Sequence, residues 1–320
     1  MFLVPDFKGF DFFPHGTRID FMRWKGICFG LSVLAMVVSL ALFATKGFNY
    51  GVDFKGGSMI EVQSKSGAAD LSSIREKIGA LGLGDVQIQN IGAATNVLIR
   101  VEQQPGGEKA QQETLSKVIA ALGTGYEQRR VEVVGPAVSS ELRTTGIIAT
   151  LASIFAIILY VWFRFEWQFA LGTVVALTHD VLVTAGIFSL FQMEFDLSIV
   201  AALLTILGYS VNDTVVVSDR IRENLRKFKK TDLTELLNLS INETLSRTIL
   251  TGATTIAVLI ALYVFGGDVI RNFTFAMLFG VVIGTYSSIF IAAPLLGYLG
   301  VKRDWSEAGK DVKGGAARKA

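Results

Sequence analysis

The chain has 320 residues, of which 51% are apolar and 18% charged, and its mean hydropathy is +0.48. Soluble domains run nearer a quarter charged, so an ordinary water-soluble enzyme is excluded. A net charge of +2 is too small for a nucleic-acid binder, and the single cysteine, Cys28, leaves no disulfide framework and no cysteine metal cluster within one chain.

In chain order, an N-terminal segment (1–25) leads into an uncharged apolar run at 26–45. At 1.5 Å per residue this run is long enough to cross a hydrocarbon core of ~30 Å. It exceeds the roughly 7–15 residues of a signal-peptide core and no A-x-A site ends it, so it reads as a retained anchor. Residues 46–143 then read as a compact α+β domain. A strand is expected at 58–63, and Asp70 caps a helix whose apolar positions are Leu71, Ile74, Ile78 and Leu81. Val86, Ile88 and Ile91 mark a second strand, and Val97, Ile99 and Val101 alternate in a third. Leu115, Val118, Ile119 and Leu122 give a second helical face before a fourth strand at Val131 and Val133. The order β-α-β-β-α-β predicts the split βαβ, ferredoxin-like arrangement. The domain contains neither histidine nor cysteine, which favours a binding or mechanical role over catalysis.

Five more spans follow at 144–163, 169–190, 197–218, 248–267 and 273–297, with a long connection at 219–247 and a basic tail at 298–320. The expected fold is therefore a polytopic bundle of six membrane helices with one α+β domain between the first and second. Orientation follows from Lys and Arg in the short connections. One side collects Lys8, Arg18, Arg23, Lys25, Arg164, seven bases in 218–247 and six in the tail; the other has only Arg271. Both termini are thus expected in the cytoplasm, with 46–143 exported.

Ionisable groups inside the spans cost about 2.5–3.5 kcal/mol at a helix centre and need a partner or a task. Asp213 lies in the fourth span. Thr205, Gly208 and Asn212 form one small, polar face, with Tyr209 and Asp213 beside it, a plausible lining for water. Arg247 opens the fifth span, followed by Thr251 and Thr255, and is expected to reach Asp213 across adjacent helices. That pair suits a proton relay, because pairing and desolvation pull a carboxyl in opposite directions. A static ion pair, or an arginine snorkelling to the interface, is the bland alternative. Asp180 is a secondary relay candidate on a stripe of Gly172, Ala176, Asp180 and Thr184; His179 beside it reads as a packing hydrogen-bonder. In the sixth span Ala276, Gly280, Gly284, Ser288 and Ala292 form a small-residue stripe, for packing either within the bundle or against another subunit.

No H-E-x-x-H, G-x-S-x-G, Walker or dinucleotide glycine pattern occurs. An aspartyl protease is disfavoured, since Asp213 lacks a G-x-G-D context. The chain is not expected to be an enzyme, nor to hold a metal or cofactor.

Four segments nonetheless resemble the SecD/SecF family of export proteins. They are Gly51-Val52-Asp53-Phe54-Lys55-Gly56-Gly57, 134–138 (VGPAV), 208–217 (GYSVNDTVVV) and 242–248 (NETLSRT). The resemblance extends over about 18–300, and the short external domain fits the SecF branch. It implies half of a resistance–nodulation–division (RND) type transporter, paired with the six spans of SecD. It also implies association with the SecYEG channel and YajC in the bacterial cytoplasmic membrane. Such proteins use the proton-motive force to draw preproteins outward after the motor SecA has pushed them, surrounded by membrane lipid. The family's relay aspartate and arginine fall on Asp213 and Arg247. Two other readings stay open: half of a proton-driven efflux or lipid pump, and a scaffold that merely stabilises the translocon.

Overall fold

The structure is a computed structural model that describes residues 18–301, apart from positions 85 and 268 and the side chain of residue 108. The bases counted at Lys8, Lys302, Arg303, Lys310, Lys313, Arg318 and Lys319 lie outside the described residues, as do most of the N-terminal segment and the tail.

Among the described residues six helical stretches are long and apolar enough to span a bilayer. A 3-10 turn at Phe21–Trp24 runs into α1 (Lys25–Thr45). The short β1 (Asn49–Tyr50) and α2 (Val52–Lys55) precede the domain proper. That domain consists of β2 (Gly57–Ser64), α3 (Leu71–Gly79), β3 (Val86–Asn90), β4 (Asn96–Val101), α4 (Gly107–Leu122) and β5 (Tyr126–Val134). The membrane helices resume with α5 (Pro136–Arg164), α6 (Trp167–Phe191), the two-residue β6 (Glu194–Phe195), α7 (Leu197–Lys227) and α8 (Leu233–Phe265). The last stretch is α9 (Arg271–Ser287), a π turn (Ser288–Ala292) and α10 (Ala293–Leu299).

Helix ends follow the local chemistry. Asp70 accepts from the amides of Ser72 and Ser73, and Asp232 accepts from that of Thr234. Pro136 opens α5, where its missing N–H costs nothing. Helices α5, α7 and α8 run well past the spans expected from hydropathy alone. The 219–247 connection is accordingly the base of a helical hairpin rather than a loop. Asn224 of α7 donates to Ser240 and Glu243 of α8, and Arg220 pairs with Glu243 at 2.7 Å. Asn238 and Asn242 of α8 hold the backbone of Met22 and Ile19.

The sheet has order β3-β4-β2-β5 with every neighbour antiparallel, the arrangement of a split βαβ unit. Its core is Ile60, Val62, Ile74, Ile78, Val97, Ile99, Val101 and Val118, all but fully buried, which is the period-two and helical pattern of the sequence turned inward. In the bundle, α6, α7 and α9 are central, while α1 and α5 leave most of their apolar surface uncovered, as lipid-facing helices do.

A second, parallel two-stranded sheet joins domain to bundle: β1 pairs with β6, the link between α6 and α7. Two consecutive glycines shape the turn beside it. Gly56 and Gly57 have φ of +74° and +116°, and a Cβ on Gly57 would lie 2.4 Å from the Val101 carbonyl oxygen. Only glycine fits there.

Candidate proton-relay site

Two aspartates sit in the middle of the bundle. Asp180 on α6 is fully buried. Its Oδ2 accepts from the hydroxyls of Ser210 on α7 (2.6 Å) and Ser287 on α9 (2.8 Å), and its Oδ1 lies 3.0 Å from His179 Nδ1. Asp213, on α7 one turn beyond Ser210, is also buried. Its Oδ1 accepts from Thr248 Oγ1 of α8 and its Oδ2 from Ser288 Oγ, both at 2.6 Å. Four helices therefore converge on two carboxylates, and every cross-helix donor is a hydroxyl.

Neighbouring serines on an α-helix point about 100° apart, which lets Ser287 face Asp180 while Ser288 faces Asp213. The π turn begins at Ser288, a departure from the α ladder often found at functional positions. Each serine has a second acceptor on its own helix: Ser287 reaches the Gly284 carbonyl at 3.1 Å and Ser288 the Thr285 carbonyl at 3.0 Å.

The expected Asp213–Arg247 ion pair is not formed. Among the described residues Arg247 has no carboxylate within 4.0 Å, and it is exposed. The reason is helical geometry. Thr248 points at Asp213, so Arg247, one residue earlier, is turned about 100° away. Thr251 lies on that outer side with its hydroxyl on the Arg247 carbonyl at 3.0 Å. The polar face of α7 behaves likewise: Thr205 bonds back to the Ala201 carbonyl, and Thr205, Gly208 and Asn212 stay exposed. Tyr209 is half-buried, against Gly252 of α8.

The small-residue stripe packs inside the bundle. A Cβ on Gly280 would lie 2.3 Å from Ile206 Cδ1, and one on Gly284 3.0 Å from Ser210 Cβ. Ser288, assigned by spacing to that stripe, is instead a ligand of Asp213. Ser210, Thr248 and Ser287 were missed by sequence reasoning; the signal was hydroxyl residues one turn from, or next to, the charged ones. Among the described residues there is no cluster suited to a metal ion.

The other end of α7 is tied to the α+β domain. Asp196 caps the helix by accepting from the Ile199 amide, and Asp53 accepts from the Leu197 amide at 2.9 Å, placing two carboxylates on its positive end. Arg100 of β4 meets Glu194 of β6 at 2.6 Å, with both side chains largely buried. Burial pushes the Glu194 carboxyl above its ordinary value, and the Arg100 guanidinium opposes that rise. The 51–57 segment thus forms the joint: Gly51 bonds the Phe195 carbonyl, Asp53 bonds α7, and Gly56-Gly57 turn the chain into β2.

The family described as protein export membrane protein SecD/SecF, C-terminal, matches residues 114–302, and the SecD/SecF GG motif matches 41–68. The chain belongs to the SecD/SecF family. It is 49% identical over 311 residues to protein translocase subunit SecF of Cereibacter sphaeroides, covering 94% of this chain and 95% of that one. It is 45% identical to protein translocase subunit SecDF of Brucella abortus over 93% of its own length but only 39% of the SecDF chain. The crystal structure of SecDF, a translocon-associated membrane protein, from Thermus thermophilus superposes with a TM-score of 0.80 at 34% identity, covering 89% of this chain and 39% of that one. The chain is a multi-pass membrane protein of that fold, spanning about two-fifths of the SecDF chains it matches.

Proposed function

We propose that this chain is a SecF-type auxiliary subunit of the Sec translocase. Paired with SecD, it uses the proton-motive force to promote late steps of preprotein export across the cytoplasmic membrane. In this reading both termini are cytoplasmic, 46–143 is periplasmic, and the complex works beside SecYEG and YajC without covalent chemistry.

The observation that carries the coupling is the span of α7. Its first turn bears the domain joint, and Asp213 lies 16 residues further on, about 24 Å at 1.5 Å per residue. Hydrogen bonds to a charged group contribute about 1.5–3 kcal/mol, against about 0.5–1.5 for neutral ones. Protonating Asp213 therefore weakens the grip of Thr248 and Ser288. Ser288 can turn its hydrogen to the Thr285 carbonyl, freeing α9 from α7. A shift of α7 is then transmitted through Asp53 and the β1–β6 pair to the domain. One charge crossing 100 mV supplies about 2.3 kcal/mol, enough to bias two arrangements roughly fiftyfold.

The uncovered polar strips of α7 (Thr205, Gly208, Asn212) and α8 (Arg247, Thr251) support a partner or water at this face, since an arginine against lipid is costly. SecD is the partner assigned to it, and Arg247 then acts in the relay from that interface rather than through a direct pair.

The test is complementation of a strain depleted of its own copy. Restored maturation of secreted precursors by the wild-type chain supports the reading. Normal maturation during depletion, with a small molecule or lipid accumulating instead, would replace it by an RND-type pump.

A further inference from the structure

A crevice of about 540 Å³ opens between α5 and the first two turns of α7, beneath α2. Its floor is apolar, made by Phe54, Ile147, Leu151, Phe195 and Leu203. Ile147 and Leu151 are more than half exposed, so none of the described residues fills it. Lys55 and Arg143 stand on its rim, and among the described residues no acidic side chain lines it. Arg143 donates to the carbonyl of Phe54 at 3.1 Å, next to Lys55, which holds the two cations on the same edge. Among the described residues neither has a carboxylate within 4.0 Å.

Depth decides what fits. Arg143 lies at the domain end of the span 144–163, and Leu151 is eight residues further in, about 12 Å along the helix. The rim thus lies at headgroup level and the floor at acyl-chain level of the leaflet on the domain side. Long cationic side chains at such a boundary reach toward phosphates.

We propose that this crevice is a binding site for one anionic phospholipid, its phosphate between Lys55 and Arg143 and one acyl chain along Ile147 and Leu151. The complementarity of a two-cation rim without acids selects an anionic headgroup over a zwitterionic one. Because Phe54 and Lys55 belong to the joint, the lipid sits against the segment that links domain to bundle.

The test is native mass spectrometry of the full chain released from detergent, with equimolar phosphatidylglycerol and phosphatidylcholine of different mass. Wild type is expected to retain one phosphatidylglycerol under activation that strips phosphatidylcholine. Lys55→Gln lowers that preference about fivefold, the equivalent of the ~1 kcal/mol that one cation contributes near an anionic surface. Lys55→Arg keeps it, and Leu151→Trp, which fills the floor and leaves both charges, abolishes retention. Equal retention of the two lipids by wild type, or an unchanged preference in both Lys55→Gln and Leu151→Trp, overturns the proposal.

Discussion

Replacing Arg100 by methionine tests the joint between the α+β domain and the bundle. The guanidinium lies 2.6 Å from Glu194, with side-chain exposures of 8% and 15%, and it also donates to Asn49 and Gln87. Removing one partner of a largely buried pair costs about 3–5 kcal/mol, because the other charge is left desolvated. Here Asp196 and Glu132 add repulsion to that charge. The loss falls on local opening, so it is read at the Gly51 amide, which bonds the Phe195 carbonyl at 2.9 Å. A loss of ~3 kcal/mol accelerates hydrogen exchange there by about two orders of magnitude.

The pH dependence has a definite sign. Glu194 in the docked state titrates above its ordinary 4.5, so its contribution to docking is fully present below that value and is lost as pH rises through the raised one. Without Arg100 the rise is larger. The Arg100→Met penalty is therefore small near pH 4.5 and grows toward pH 8, whereas Arg100→Met with Glu194→Leu returns exchange to within about 1 kcal/mol of wild type. Unchanged exchange at Gly51 in Arg100→Met at pH 8 would refute the joint.

Other substitutions separate the parts of the site. Ser288→Ala deprives Asp213 Oδ2 of its hydroxyl and lowers stability in detergent by about 1.5–3 kcal/mol, while Thr251→Ala, on the outer side of α8, stays within about 0.5 kcal/mol; thermal melts compare them. Gly57→Ala forces a Cβ to 2.4 Å from the Val101 carbonyl at a φ of +116° and reduces folded yield by at least ~2 kcal/mol of stability. Gly280→Leu, with 2.3 Å between a new Cβ and Ile206, unfolds the bundle. Gly208→Leu, at an exposed position where an added Cβ meets nothing within 4 Å, leaves the isolated chain intact and weakens co-purification with SecD.

The six spans, the capped start of α3 and strand β4 were legible because each rests on local pattern: uninterrupted apolar runs, Asp70 before a periodic face, alternation at Val97, Ile99 and Val101. Asp180 and Asp213 were legible as charges where charge is costly. Their ligands were not. Ser288 reads as one step of an i+4 stripe, and only the turn of consecutive residues shows that it and Ser287 face different aspartates. Position along the chain brings Arg247 level with Asp213, but around the helix its neighbour Thr248 takes the inward direction. The joint was hidden for another reason. Strands of two residues carry no periodicity, and Asp53 meets the first turn of α7 from 144 residues away in sequence.

The most direct test of proton coupling through α7 is pulse-chase maturation of a secreted precursor. Cells would carry wild-type or Asp213→Asn protein at matched membrane levels. The account predicts slow maturation in the variant, with no further slowing when the proton gradient is collapsed. Maturation at the wild-type rate, with its full sensitivity to the gradient retained, would contradict it.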